Sequence, residues 1–299
     1  MKERYMIGII LGCLLFCLSA CKTPTDLSAE DNYESERQEI NVLSYNLYLR
    51  APSFLFWNQQ EERIAKLRPS LLGYDVLLLQ EVFGKKYRQK LIELVGDVYP
   101  YHSKRLGGQG GKQDAGLLLM SRWPIEEEQS LLFGETCAGS DCLATKGAIY
   151  IKINKSGLPY HLFGTHLQAN SEHQPTREAQ LGLLADFVER QAISPEEAVL
   201  IGGDLNVDLF SNASTLAFDN MQDSLQAIHP SNRTGEAYPP SLDVTKNAFA
   251  KGARNEYLDY ILYSTQHRKP LQSYNEVKPC KAAELDLSDH YAVAGYFRY

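Results

Sequence analysis

A carboxylate and an amide lie two residues apart in the segment 200–208, after an apolar run and two glycines. Residues two apart on an extended strand point to the same face, so Asp204 and Asn206 are predicted to leave the strand end side by side. A carboxylate beside an amide oxygen suits a hard cation such as Mg²⁺, or a phosphate held close to one. The same residues also fit a turn closed by Asx hydrogen bonds, so the choice depends on the rest of the chain.

Other polar side chains repeat this design, most of them at or just after the end of a predicted strand. They are Asn46, Glu81, His166, Asp259, Asp289 and His290. Glu81 follows the apolar run 76–79, where an unpaired buried charge is costly, although a helix-capping or surface role remains open. These residue types include no thiolate, and no Ser or Cys lies in a nucleophile motif. The set therefore indicates a divalent-metal hydrolase acting on phosphate rather than a covalent mechanism.

The elements that must position these residues are mostly strands. Strands are predicted over residues 40–47, 75–80, 115–120, 145–153, 160–165, 199–203, 256–263 and 292–297. Helices are predicted over 60–72 (with Pro69 in the last turn), 85–95, 177–191 and 215–229. Arg63 and Lys66 are expected to point outward, and 264–286 is expected to be irregular. Two sheets packed face to face with helices outside is the favoured architecture.

The first residues are typical of an export signal. Two basic residues precede an apolar run over 5–18 that is short for a transmembrane helix, and a small-residue site ends at Cys21. This pattern resembles a bacterial lipobox, which implies cleavage before Cys21 and a lipid on its sulfur; ordinary signal cleavage is the alternative. We therefore predict a signal peptide over 1–20, a flexible tether over 21–38 and a catalytic domain over 39–299, in the cell envelope.

Composition limits the partners and the redox state. The formal net charge is −7, which argues against a dedicated polyanion binder, so no nucleic acid is expected as a partner. An exported chain permits disulfides. Cys137 and Cys142 bracket a short Gly-containing turn and are the predicted pair, which leaves Cys280 free. We expect a monomer.

Five motifs, in order, resemble the deoxyribonuclease I-like endonuclease/exonuclease/phosphatase superfamily. They are Tyr-Asn46, Gln-Glu81, Gly-Thr-His166, Gly-Asp204-x-Asn206 and Ser-Asp289-His290. The flanks Thr-Lys146-Gly147 and Tyr-Leu-Asp259-Tyr-Ile are similar to those of bacterial neutral sphingomyelinases. The resemblance implies a four-layered α/β sandwich that hydrolyses sphingomyelin to ceramide and phosphocholine. A secreted nuclease, or another phospholipase C or phosphatase of the superfamily, is the alternative; a non-catalytic surface lipoprotein is disfavoured because every catalytic position is filled.

The resemblance also implies roles for the site residues. Glu81 and Asn46, with Asp289, would hold Mg²⁺, for which Mn²⁺ or Co²⁺ could substitute. His290 is the residue best placed to activate water because imidazole titrates near neutrality. Asp259 would fix its tautomer, and His166 would bind the phosphate and assist the leaving oxygen. Asp204 and Asn206 would position phosphate, water or a second metal, and Asp289 would ligate that metal or contact His166.

The chain departs from those sphingomyelinases where they meet membranes. They often carry a long aromatic hairpin before the final motif, but 264–286 is short and mostly polar. Their disulfide often joins a residue like Cys137 to one after the His166 motif, whereas here Cys142 takes that place. The run 54–57, with Phe54, Phe56 and Trp57, is either buried or offered to a lipid surface. A choline group favours aromatic faces, for which Trp57 and Phe83 are candidates.

Overall fold

The computed structural model describes residues 38–50, 58–211 and 214–299, which belong to a unit spanning Arg37–Tyr299. The predicted signal peptide, the tether before residue 38, the lipidation site Cys21 and the candidates Phe54, Phe56 and Trp57 lie outside the described residues. Among the described helices, none is both long enough and apolar enough to cross a membrane.

Within the described ranges the strands follow the apolar segments of the sequence. They are β1 Glu39–Leu49, β2 Val76–Val82, β3 Tyr101–His102, β4 Leu118–Ser121, β5 Ile125–Leu132, β6 Gly147–Lys155, β7 Leu158–His166, β8 Ala198–Asp204, β9 Ala227–Ile228, β10 Asp259–Ser264, β11 Gln272–Lys278, β12 Lys281–Ala282, β13 Leu285–Asp286 and β14 Ala292–Arg298. The α-helices are α1 Gln60–Lys66, α2 Arg68–Leu71, α3 Lys85–Val95, α4 Gln174–Glu189 and α5 Ser214–Leu225. Two 3-10 turns cover Gly139–Leu143 and Ser171–His173.

Two mixed sheets make up the centre. The first has the order β11-β14-β1-β2-β4-β3 and the second β5-β6-β7-β8-β10-β9, while β12 and β13 form a small hairpin. The pairs β1–β2 and β7–β8 are parallel, and the other neighbours within both sheets are antiparallel. This arrangement confirms the predicted α/β architecture of two packed sheets with flanking helices.

Alternation along β1 and β2 shows how the layers form. Ile40 and Val42 belong to the core between the sheets, whereas Leu43 and Tyr45 belong to a second core. That second core includes residues of α1, α2 and α3 on the outer face of the first sheet. Successive side chains of a strand point to opposite faces, so a strand buried on both faces supplies two cores at once. Residues of α4 and α5 pack against the outer face of the second sheet, where Phe187 of α4 contacts Phe163 of β7.

One edge of the sandwich collects the candidate residues. The carboxyl ends of the parallel strands β1 and β2 lie there in the first sheet, and those of β7 and β8 lie there in the second. The antiparallel strands β10 and β14 start at this edge, so their first residues and the loop before β14 arrive beside those ends. The opposite edge is tied by Lys155, whose Nζ donates at 2.9 Å to Asp75, a buried ion pair between the two sheets.

Three sequence predictions about elements were wrong. Arg63 does not point outward: its side chain is fully buried. The segment 264–286 is not irregular, because β11 pairs with β14 along its whole length. The helix predicted over 215–229 ends at Leu225 and is followed by the short strand β9. Strand β5 was not predicted, because it is an edge strand with three consecutive glutamates and its burial does not alternate.

Candidate active site

Sheet register brings three of the predicted residues side by side. His166 at the end of β7 is paired with Asp204 at the end of β8, and Asp204 is paired with Asp259 at the start of β10. All three side chains are buried, and Oδ2 of Asp204 lies 3.5 Å from Nε2 of His166. Asp204 is therefore at the centre of the group, and it is Asp204 rather than Asp289 that lies beside His166.

The two glycines before Asp204 are required by close contacts. A Cβ atom on Gly202 would lie 2.9 Å from the Leu78 side chain of the opposite sheet. Gly203 has φ +146°, and a Cβ atom there would lie 2.0 Å from the carbonyl oxygen of Thr165. Larger residues at either position would therefore push β8 away from its neighbours and displace Asp204.

The first sheet supplies Asn46 and Glu81 to the same group. The Nδ2 amide of Asn46 donates to Asp204 at 3.0 Å and to Glu81 at 3.3 Å, across residues that are far apart in sequence. The Oδ1 atom of Asn46 accepts from the backbone N–H of Tyr48. Asn46 thus connects the carboxylates of the two sheets through its N–H groups, and metal ligation through its oxygen stays a prediction.

His290 forms the second connection between the sheets. Its Nδ1 lies 2.7 Å from Oδ2 of Asp259, while its Nε2 faces Asp204 at 3.8 Å. Ser288 holds the loop, because its hydroxyl donates to the Asn46 carbonyl at 2.6 Å and accepts from the His290 backbone N–H at 3.3 Å. The carboxylate on Nδ1 keeps the proton on that nitrogen and leaves Nε2 free to accept one.

The pKa values of the two histidines of the site are shifted in opposite directions. Burial, and then the neighbouring ammonium of Lys146, lower the pKa of His166 to about 3, so this imidazole is neutral. Burial also lowers the pKa of His290, but the carboxylates of Asp259 and Asp204 outweigh it and hold that pKa well above its usual value. The surplus of carboxylates around His290 is what a divalent cation would offset.

Glu81 has the features expected of a metal ligand. Its backbone adopts φ +54°, an uncommon conformation for a non-glycine residue that aims the side chain into the cleft. Its Oε2 atom is buried without a hydrogen-bond partner. Burial, followed by the charge of Asp289, raises the pKa of Glu81 to about 7. An orphaned carboxylate oxygen beside a second buried carboxylate fits Mg²⁺, which prefers oxygen ligands.

Asp289 and Asn206 are placed differently from the expectation. Oδ1 of Asp289 lies 3.2 Å from the Ser288 hydroxyl oxygen, and burial raises the pKa of Asp289. β8 ends at Asp204, and Asn206 follows with φ +53°, so the two do not leave a strand in parallel. Instead the Asn206 amide donates to the Leu167 carbonyl at 3.1 Å, and its backbone N–H donates to Asp204. Asn206 still lines the cleft.

Three supporting residues were missed or left without a role by sequence reasoning. Arg63 donates at 2.8 Å to the carbonyls of both Leu47 and Leu287, so it joins the segments that carry Asn46 and Asp289. Lys146, which lies in a recognised motif, contacts Asp141 at 2.9 Å and the Leu167 carbonyl at 3.0 Å. Arg177 donates to the carbonyls of the loop after His166. No local signal in the sequence marked Arg63 as buried, because its helical spacing places it on the face expected to point outward.

The predicted cysteine pair is present in the structure. Cys137 and Cys142 form a disulfide with Cα atoms 5.3 Å apart, and Cys280 is a buried free thiol. The bond closes the loop 137–142, which includes all of the 3-10 turn Gly139–Leu143 except its last residue. This turn reaches the site through Oδ2 of Asp141, which accepts from the Ala169 backbone N–H at 3.0 Å.

The cleft above these residues has two lobes. The larger, of about 440 Å³, is lined by His290, Asp204 and Asn206 and extends towards Arg254. The smaller, of about 390 Å³, is lined by Phe83 and by the 3-10 turn of the disulfide segment. The two lobes share Glu81, His166, Ala169 and Asn170. Phe83, the other predicted choline contact, therefore lies within reach of the site, in the smaller lobe.

Residues 43–290 match the family described as Endonuclease/Exonuclease/phosphatase family. The chain belongs to this family. Within the family, the chain is 29% identical to a sphingomyelinase C of Bacillus cereus over 98% of this chain and 97% of that protein. It is 31% identical to a phospholipase C of Staphylococcus aureus over 91% of each chain.

Solved structures of similar proteins show the same fold. Sphingomyelinase C from Streptomyces griseocarneus matches with a TM-score of 0.78 and 26% identity, over 87% of this chain and 99% of that one. A double mutant of the Staphylococcus aureus beta toxin with bound magnesium ions matches with a TM-score of 0.76 and 29% identity, over 87% and 100%. The resemblance to bacterial sphingomyelinases read from the motifs is confirmed.

Proposed function

We propose that this protein is a Mg²⁺-dependent phosphodiesterase that hydrolyses sphingomyelin to ceramide and phosphocholine. The observation that carries the proposal is the His290–Asp259 pair facing Asp204, Asn46 and Glu81 at one edge of the sandwich. The relatives named sphingomyelinase C match along nearly the whole chain, which supports this substrate over others.

Water activation belongs to His290. Because Asp259 accepts a hydrogen bond from the Nδ1–H of His290, the Nε2 lone pair of the neutral imidazole is available to accept a proton from water as it attacks phosphorus. That nitrogen faces the larger lobe, where Asp204 and Asn206 also lie. Asp204 and the Asn206 amide are placed to orient the water or a phosphoryl oxygen.

His166 supports the phosphate and the departing oxygen. As a neutral imidazole it donates a hydrogen bond without adding a full charge to the site. The ammonium of Lys146 lies nearby and adds positive potential where negative charge develops. These groups are already held in place by the sheets, so they need little rearrangement during the reaction.

Glu81 and Asp289, with Asn46 at their side, are the residues that would hold Mg²⁺. A bound Mg²⁺ would supply electrostatic stabilisation of phosphoryl and leaving-group oxygens. Mn²⁺ and Co²⁺ are proposed as substitutes because they accept the same oxygen ligands.

Product analysis on a mixed panel tests the function. Purified protein with Mg²⁺ is incubated with sphingomyelin, phosphatidylcholine, phosphatidylinositol and plasmid DNA, and the products are identified by mass spectrometry. Ceramide and phosphocholine should dominate. Nicked plasmid, or diacylglycerol without ceramide, would instead place the activity with the nucleases or with another phospholipase C.

We also propose that the protein is an exported lipoprotein, anchored in the cell envelope through Cys21, and that the run from Phe54 to Trp57 contacts lipid. The lipobox-like sequence supports the anchor, and the four consecutive large apolar residues support the contact. Metabolic labelling with a fatty-acid analogue should mark the wild type and not Cys21→Ala. Light scattering of the tether-free domain should give a monomer. Changing Phe56 and Trp57 to Ser should weaken vesicle binding but spare a soluble phosphocholine ester.

A further inference from the structure

The two lobes of the cleft differ in whether His290, the proposed general base, lines them. His290 lines the larger lobe and is not among the described residues that line the smaller one. Glu81 and His166 line both lobes. The phosphorus atom must therefore sit at the junction, with the base on the side of the larger lobe.

Phosphoryl transfer places the attacking and leaving oxygens roughly in line across phosphorus. Water delivered from the His290 side therefore expels a leaving group on the opposite side, which is the side of the smaller lobe. This step rests on the proposed function, in which the leaving oxygen belongs to ceramide. The phosphocholine half is attached to the side of this line and extends into the larger lobe, near Glu172 and Arg254, so Phe83 of the smaller lobe would contact ceramide rather than choline.

The rim of the smaller lobe carries an apolar side chain that faces solvent. Leu143 lines this lobe, and it is 70% exposed at the end of the 3-10 turn Gly139–Leu143. An exposed leucine alone needs no explanation. Leu143, however, lies at the mouth of a lobe that would hold a lipid tail, so its side chain would contact that tail.

The turn that carries Leu143 is braced on several sides. The Cys137–Cys142 disulfide closes it, and Lys146 contacts Asp141 within it. The carbonyl of Leu143 itself accepts from the Gln113 backbone N–H at 2.9 Å. A braced backbone loses little conformational freedom when the turn binds, so more of the transfer free energy of the Leu143 side chain is available for binding.

We propose that the smaller lobe takes the ceramide half of the substrate and that Leu143 enters the apolar edge of the lipid surface as the lobe receives it. The disulfide-closed turn is then a lipid-docking element, separate from the run 54–57. The occupant is a single sphingolipid drawn partly out of a bilayer, with its acyl chains passing Leu143.

Vesicle binding of Leu143→Asn tests the docking element. Flotation with sphingomyelin–cholesterol vesicles is measured in chelator, so that no turnover occurs. Loss of one buried leucine should weaken binding about tenfold. The matched control is Leu271→Asn, since Leu271 is 81% exposed and lies beyond the far end of β14 from the site, about 20 Å away. Equal effects of the two variants would overturn the docking element.

Kinetic measurements on two variants test which lobe takes which half of the substrate. Ala144→Phe narrows the smaller lobe and Ala217→Phe narrows the larger. Ala144→Phe should raise the KM for monomeric short-chain sphingomyelin at least fivefold. The KM for p-nitrophenyl phosphocholine should change much less, because the leaving group of this substrate is small. Ala217→Phe should affect both substrates alike because they share the head group. A selective effect of Ala217→Phe on sphingomyelin would put ceramide in the larger lobe and overturn the assignment. Wild-type protein that cleaves neither substrate would contradict the proposed function itself.

Discussion

At the scale of single residues, Asp204 is the carboxylate that holds the other residues of the site in position. It accepts from Asn46 at 3.0 Å and lies near the Nε2 atoms of His166 and His290. Its carboxylate thus holds groups from both sheets in one geometry. Catalytic side chains held by other buried side chains keep their orientation when substrate arrives.

His290→Ala should lower kcat by about two to four orders of magnitude, because it removes the general base. Asp259→Asn should also be severe, through kcat rather than KM, since the amide permits the wrong tautomer. Removing the negative charge of Asp259 lowers the pKa of His290, so the acidic limb of the pH–rate profile should move to lower pH. The exposed His102, changed to Ala, is the control. A His290→Ala enzyme with near-normal turnover would show that water is activated elsewhere.

Glu81→Gln should abolish tight Mg²⁺ binding in titration calorimetry, since it keeps the shape but loses the charge. Metal ligation needs the carboxylate form, and the pKa of Glu81 is raised to about 7. Mg²⁺ affinity of the wild type should therefore fall as the pH drops below about 7. Glu172, an exposed carboxylate of the same cleft, gives the control Glu172→Gln. Unchanged Mg²⁺ binding, or full activity in excess chelator, would refute the assignment.

At the scale of elements, one buried arginine on α1 links the ends of the first sheet. Arg63 donates to the carbonyls of Leu47, Asn58 and Leu287 at 2.8 Å each and to that of Tyr48 at 2.6 Å. The carbonyls of Leu47 and Tyr48 belong to the end of β1, and that of Leu287 belongs to the loop that leads to Asp289. The guanidinium therefore fixes the spacing between Asn46 and Asp289, although it does not line either lobe among the described residues.

Arg63→Met should destabilise the fold by on the order of 3 kcal/mol, because it leaves buried carbonyls without donors. Arg63→Lys keeps the charge but not the planar fork, so it should fold and lose Mg²⁺ affinity. Urea unfolding and calorimetry measure the two effects. Arg68→Met is the matched control, since Arg68 pairs with Asp97 at the surface and such pairs contribute about 1 kcal/mol or less. Arg63→Lys with wild-type Mg²⁺ affinity would limit Arg63 to a role in stability.

At the scale of the whole molecule, buried neutral histidines link folding to pH. His229 is packed among Phe218, Tyr238, Tyr257 and Tyr260, and its Nε2 has no hydrogen-bond partner. Burial lowers the pKa of His229 to about 3, as it does for His166. The unfolded chain binds these protons at pH about 6.5. In the folded state, the buried histidines bind these protons only at much lower pH. The stability that each neutral histidine contributes is therefore present above about pH 6.5 and is lost as the pH falls towards 3.

His229→Phe should flatten the pH dependence of thermal stability between about pH 6.5 and 4, because one buried proton-binding group is removed. Each such histidine can cost up to about 1.4 kcal/mol per pH unit in this window. At pH 8 the variant should be close to the wild type, since an aromatic ring fills the same space. His102→Gln, at an exposed position, should leave the profile unchanged. A variant profile as steep as that of the wild type would assign the acid sensitivity to other groups.

The sequence by itself determined the residues at the strand ends and the class of fold. Apolar runs such as 76–79 predicted strands buried on both faces, and polar residues at their ends predicted a site there. These inferences succeed because strand periodicity and motif spacing are local properties of the chain. The Cys137–Cys142 pair is also local, five residues apart.

Only the tertiary structure decided which of these residues meet. Asn46 and Asp204 lie 158 positions apart, and Arg63 and Leu287 lie 224 apart. Neither contact leaves a periodic trace, because each depends on how the two sheets and α1 are packed. An exposed arginine and a buried arginine with four carbonyl partners look alike in a helical sequence. Strand β11 was not predicted for the same reason. Its mostly polar residues form an edge strand only when they pair with β14.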